Sequence, residues 1–383
     1  MRPMCFVARH GVLLCVSASL LLTALPSAQS GAGMLARRGW LGVALAARDT
    51  GVAVTAVVPG SSAASNDIEP GDVIRAIDDQ PMRAPADVVS AIAHHAAGST
   101  AVIELSRAGV PARRLVNIKA LPVETLPQAL FEYGFVRLSD GTRLRTIVST
   151  PNRPGGRFPA VMVLQGGGCG SIDNPTAPEV GPNEFIHRIA AEGYATMRVE
   201  KSGVGDSEGP PCDTIGYWQE LEGYQAALAV LRHHPQVDAN RVFLVGISLG
   251  GVFAPTLAAQ TPVRGLVVYG TLATAPSPYP GRSARFFTEF ADVDVPAAWS
   301  ALDAPTLALH GEFDENSQMT GHTRIAELVN AKHPGTAAAR ELSGLDHCWT
   351  EHATMDESRG HCGAGRQVST LLNVVLAFLR AHT

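Results

Sequence analysis

One serine stands in a setting that could make it a nucleophile. Gly246-Ile247-Ser248-Leu249-Gly250-Gly251 has the spacing G-x-S-x-G, preceded by the strand-like run 242–245 and followed by the helix-like run 249–259. Glycines at these points allow a tight turn in which Ser248 holds a strained backbone and projects its hydroxyl. The helix that begins there turns its first N–H groups toward the same spot, where they can stabilise a forming oxyanion. A serine hydroxyl attacks poorly until a base takes its proton. The expected base is a histidine later in the chain, oriented by an acid between the two. His347, in Leu345-Asp346-His347-Cys348-Trp349, fits the base, and Asp314, just past the strand-like run 306–310, fits the acid. Glu312 and Asp346 are rival acids; His310 is expected inside its strand, and His352 and His361 lack the loop context. The oxyanion needs two N–H donors. Leu249 is one, and the other is expected from Leu164-Gln165-Gly166-Gly167-Gly168-Cys169-Gly170, at Gly166 or Gly167.

These residues need a scaffold that brings distant turns together. From residue 130 onward, strand-like runs at 134–138, 144–149, 160–164, 194–199, 241–245, 266–269 and 306–310 alternate with helix-like runs at 184–191, 217–231, 249–259 and 368–379. Such alternation predicts a doubly wound α/β domain with a mostly parallel sheet covered on both faces. Ligands bind outside the carboxyl ends of such strands, which is where the turns above fall. The glycine-rich run 199–209 is expected to shape the sheet edge near the site; it lacks the GK[ST] ending of a phosphate loop. Residues 271–296, rich in Pro and aromatics, read as a short lid or pocket wall, or else as an excursion that packs in the core.

The order Ser248, Asp314, His347 is that of α/β-hydrolases, and residues 165–168 resemble their HGGG loop with Gln165 where His is usual. Residues 130–383 therefore resemble the dienelactone-hydrolase, esterase and prolyl-oligopeptidase-like branches of that family. The resemblance implies acyl transfer through an acyl-serine, with no metal or organic cofactor. It leaves three readings open: a carboxylic-ester hydrolase, a peptidase of the prolyl-oligopeptidase-like type, and a scaffold protein with a relic hydrolase domain.

Residues 35–120 form a second, smaller β-rich unit. Gly39-Trp40-Leu41-Gly42-Val43, Val54-Thr55-Ala56-Val57-Val58-Pro59-Gly60-Ser61 and Pro70-Gly71-Asp72-Val73-Ile74 resemble a bacterial PDZ domain of the kind found on periplasmic proteases. In that family a glycine-containing loop receives a peptide's C-terminal carboxylate and the peptide adds as a strand. The resemblance would assign the loop to Trp40, Leu41, Gly42 and Val43 and the facing helix wall to Val88 and Ile92. Binding of a protein C-terminal tail, scaffolding and substrate gating all remain open. Residues 121–129, with Pro122 and Pro127, read as the linker.

Residues 1–30 combine Arg2 and Arg9, a short apolar run at 11–22 and small residues at 24–30, the pattern of a secretory signal cut near 28–30. The alternative, a membrane anchor, would need a longer run. No later segment could span a bilayer, so the mature chain is expected in the periplasm or outside the cell. Cys5 and Cys15 leave with the signal, and Cys169, Cys212, Cys348 and Cys362 remain. Three pairings are open in an oxidising compartment. Cys169–Cys212 with Cys348–Cys362 is preferred, because the first ties two post-strand loops and the second closes a short one; free buried thiols are the alternative. A net charge of −5 with no basic block argues against nucleic acid.

Overall fold

The structure, a computed structural model, describes residues 34–175, 182–364, 366–367 and 369–383. The expected signal segment 1–30 lies outside the described residues.

The first unit contains β1 (Gly39–Trp40), β2 (Val43–Arg48), β3 (Gly51–Val57), α1 (Ser62–Ser65), β4 (Val73–Ile77), β5 (Gln80–Pro81), α2 (Pro85–Ala93), β6 (Thr100–Arg107), β7 (Val110–Asn117) and β8 (Lys119–Ala120). Its antiparallel sheet runs β2-β3-β4-β6-β7, with β2 at one edge. Ala101, Ile103 and Leu105 alternate inward along β6 and meet Val52, Val54, Ile74, Val88 and Ile92 in a separate core. β1 and β2 are separated at Leu41-Gly42. Gly42 sits at φ +76°, where a side chain would collide with Ser61, and the Leu41 carbonyl accepts from the Ala63 amide instead of a strand partner.

The helix wall assigned to Val88 and Ile92 needs correction. Both side chains are almost fully buried in the core of the small unit, which leaves them no surface to offer a peptide, whereas Val89 is 63% exposed. At about 100° per residue, adjacent Val88 and Val89 point to different surroundings.

The second unit contains β9 (Ala129–Arg137), β10 (Arg143–Pro151), β11 (Phe158–Leu164), α3 (Pro182–Ala191), β12 (Ala195–Val199), α4 (Tyr217–His233), β13 (Val237–Ile247), α5 (Leu249–Gln260), β14 (Gly265–Tyr269), α6 (Ala284–Ala291), α7 (Val295–Ser300), β15 (Thr306–Gly311), α8 (Met319–Lys332), β16 (Ala337–Leu342), β17 (Thr350–Glu351), α9 (Met355–Ser358), β18 (Arg366–Gln367) and α10 (Ser369–His382). The eight-stranded sheet runs β16-β15-β14-β13-β11-β12-β10-β9, antiparallel at β9, β10 and β12 and parallel from β12 to β16. Its central strands are apolar throughout because both faces are covered. Ala160, Met162 and Leu164 of β11 face α4 and α5, while Val161 and Val163 face α3 and α10. The chain leaves β11 for β12 on one side and returns to β13 on the other, so β11 and β13 flank the point where strand order reverses. Leu164 pairs with Gly246, which sets the loop after β11 beside the turn after β13.

Residues 121–129, expected as a linker, are not a free tether. Glu124 is buried, is bonded to Arg198 and accepts from His187 Nε2 at 2.7 Å, and its amide donates to the Tyr133 hydroxyl at 2.9 Å. The segment ahead of β1 is also fastened to the large unit. Arg37 reaches Asp173 and Asp206, each at 2.5 Å, Arg38 donates its amide to Asp206 at 2.8 Å, and buried Arg145 bonds Asp206 and the Leu35 carbonyl.

Candidate active site

Ser248 sits between β13 and α5 with φ 51° and ψ −121°, a region that costs an L-residue strain and persists only when the surroundings impose it. Three contacts impose it here. The Ser248 amide donates to the Tyr269 carbonyl at 2.8 Å, and its own carbonyl accepts from the Thr271 hydroxyl at 2.8 Å and the Gly251 amide at 3.0 Å. Gly250 leaves room for β11: a methyl group there would lie 2.1 Å from the Leu164 carbonyl oxygen.

Asp314 follows β15 and His347 lies in the turn after β16. The carboxylate Oδ2 of Asp314 accepts from His347 Nδ1 at 2.8 Å and from the Ser317 hydroxyl at 2.8 Å, and Oδ1 accepts from the Asn316 and Ser317 amides. Burial pushes this carboxyl up, but the bond from His347 and the surrounding donors outweigh it and hold it down at about 2. Gly270, at φ 60°, packs against the pair: a methyl group there would lie 2.8 Å from Asp314 Oδ2 and 2.9 Å from His347 Nδ1.

The rivals are elsewhere. Glu312 accepts from the Gly344 amide at the surface. Asp346 accepts from the amides of Cys348 and Thr350 and bonds His352 at 2.9 Å, which shapes the turn that carries His347. His310 lies within β15, and His361 is exposed.

Ser248, His347, Leu249 and Gly166–Cys169 line one cavity of about 980 Å³. Among the described residues no hydrogen bond joins Ser248 Oγ to His347, and the amides of Leu249, Gly166 and Gly167 meet no backbone acceptor. Catalytic bonds are often open without substrate and close in its complex. The cysteines pair Cys169–Cys212 and Cys348–Cys362, so one disulfide anchors the glycine loop and the other begins at the residue after His347.

Sequence reasoning missed the supports behind these groups. Lys201, in the run read only as an edge-shaping turn, is buried and donates to the carbonyls of Gly166 at 2.5 Å and Gly168 at 3.1 Å. Its charge is met by buried Glu220 at 3.1 Å, which also pairs with buried Arg282. His322 is fully buried, and burial lowers it to about 4, so it is neutral: Nδ1 donates to the Gln318 carbonyl and Nε2 accepts the Thr271 amide at 3.1 Å. A lone charged residue in a polar turn gives no periodic signal, so none of these was legible locally. The stretch 271–296 divides. Leu272, Pro276, Ser277 and Tyr279 form a cavity wall, while in the core Phe290 stacks with Tyr217 and Phe253 and Phe286 meets both edge to face.

Comparison with known proteins agrees with this architecture. The PDZ domain profile matches residues 39–119, and the profile of the X-Pro dipeptidyl-peptidase (S15 family) matches residues 140–287. Among curated proteins, the quorum-quenching protein AidA of Acinetobacter baumannii is 40% identical over 76 residues, 20% of this chain and 25% of that protein. Esterase EstD of Thermotoga maritima is 25% identical over 113 residues, 30% of this chain and 27% of that protein. The matches thus span about a quarter of these relatives' own lengths. Among solved structures, dipeptidyl peptidase 4 of Porphyromonas gingivalis superposes with a TM-score of 0.52 at 17% identity, covering 75% of this chain and 41% of that one. The large unit has the α/β-hydrolase fold, and the small unit ahead of it matches the PDZ domain profile.

Proposed function

We propose that the protein hydrolyses carboxylic esters through an acyl-serine intermediate. His347 takes the proton of Ser248 as the hydroxyl attacks the carbonyl, returns it to the leaving alcohol, and then activates water for deacylation. Asp314 holds the imidazole with its proton on Nδ1 and stabilises the imidazolium. The amides of Leu249 and of Gly166 or Gly167 receive the oxyanion. The observation that carries this reading is the Asp314–His347 bond beside a strained Ser248, all at the carboxyl ends of neighbouring strands.

The character of the cavity favours esters. Its lining includes one carboxylate, the rim residue Asp213, and otherwise mainly glycine and apolar side chains, whereas an exopeptidase must bind its substrate's amine. The S15 profile match keeps a peptidase as the second reading. Short p-nitrophenyl esters and peptide anilides, assayed side by side, separate the two: ester turnover exceeding anilide turnover is expected, and the reverse order would transfer the assignment to a peptidase.

For the PDZ domain we propose capture of a protein's C-terminal tail as an added strand along β2, with Trp40–Val43 receiving the carboxylate and exposed Val89 offering the apolar contact. Two disulfides, and no described helix long and apolar enough to cross a membrane, fit action outside the cytoplasm after removal of residues 1–30.

A further inference from the structure

The sequence has six tyrosines, and five of their hydroxyls are engaged. Tyr133 bonds Asp173, Tyr194 meets Thr383, Tyr217 meets Thr256, Tyr224 meets Glu220, and Tyr269 donates to the Asp346 carbonyl. Among the described residues the hydroxyl of Tyr279 makes no hydrogen bond, and this is the tyrosine that lines the Ser248 cavity. A methyl group on Gly167 would lie 2.3 Å from the Tyr279 hydroxyl oxygen, and one on Gly166 would lie 3.3 Å from Ser248 Cβ. The phenol and the nucleophile therefore pack against successive residues of one loop, the loop whose amides are assigned to the oxyanion.

We infer that Tyr279 is a catalytic residue whose phenol donates a hydrogen bond to the substrate's carbonyl oxygen as negative charge develops on it. This rests on the proposed role of Ser248. No bond is made or broken at the phenol; it keeps its proton and adds a donor beside the Gly167 amide.

Three features hold that donor in place. Pro278 and Pro280 restrict the backbone on either side. The ring meets Phe287 edge to face at 5.3 Å. Arg282, three residues on, is anchored to Glu220, the same carboxylate that anchors Lys201 beneath Gly166 and Gly168. The strap bearing the phenol and the loop bearing the amides thus share one buried support. Burial raises the phenol above its ordinary value of 10, so it remains a donor across the working pH range.

The test is Tyr279→Phe, which keeps the aromatic wall and removes the hydroxyl. A donor that acts only on the developing charge contributes to kcat and not to ground-state binding. Turnover of a p-nitrophenyl ester is expected to fall on the order of 10- to 100-fold with KM changed less than about twofold. The affinity of a trifluoromethyl ketone that forms a tetrahedral adduct should fall by a similar factor. A Tyr279→Phe enzyme with wild-type kcat, or with a changed KM alone, would overturn the inference and leave Tyr279 a wall. Ser248→Ala run in parallel separates the two levels: activity surviving in that variant defeats the underlying reading, whereas its loss beside an unaffected Tyr279→Phe defeats this inference alone.

Discussion

Gly270 illustrates how much of the site depends on a residue that does no chemistry. Its positive φ disfavours any side chain, and a methyl group would intrude on both Asp314 and His347. Gly270→Ala should therefore separate Asp314 from His347, the proposed acid and base. A fall in kcat/KM of about 100-fold or more is expected, because members of a catalytic unit fail together. Thermal unfolding should fall far less steeply, which circular dichroism can check. An alanine variant with near-wild-type kcat/KM would mean that the Asp314–His347 bond contributes little. At this scale the sequence was legible in placement: Asp314 and His347 were expected to meet, and they do, with His347 and Ser248 on one cavity. It was silent where a residue serves only by fitting, as with Gly270, His322 and Lys201, whose partners come from far along the chain.

The strand ends and their loops carry the next level. Lys201 and Glu200 follow β12 and point to different tasks: Lys201 braces the glycine loop, and Glu200 accepts from Ser171 in the stretch between that loop and Asp173. Burial pushes the Glu200 carboxyl up to about 7, against the pull of Ser171 and Arg38. The folded state thus holds this proton more tightly than the unfolded chain, whose ordinary value is 4.5. The sign follows from linkage: Glu200 costs no stability at low pH, and the cost grows as pH rises from about 4.5 to about 7 and then levels off. Glu200→Gln should remove that slope. The difference in melting temperature between wild type and variant should drift against the wild type across this window and stay constant above it. A difference that is flat throughout would show that the carboxyl titrates normally. The alternation that placed β11 to β15 was plain in the sequence because their apolar runs are set by burial on both faces. The face of α2 was not, since a nine-residue helix with neighbouring valines fits more than one orientation.

Across the whole molecule, two units with separate cores are fastened by charge. Arg37 and Arg145 converge on Asp206, and Glu124 ties the connecting segment to Arg198. The sequence pattern changes near residue 120, but the fastening was not legible, because isolated charges in loops show no periodicity. Both disulfides lie beside the cavity, so the oxidised chain is the form in which the site should be assayed. The central claim is that Ser248 attacks a carbonyl. The most direct measurement is the intact mass of the unreduced protein after treatment with a fluorophosphonate. One adduct per chain is predicted for the wild type and none for Ser248→Ala. No adduct on the wild type, or an adduct that persists in Ser248→Ala, would contradict the account.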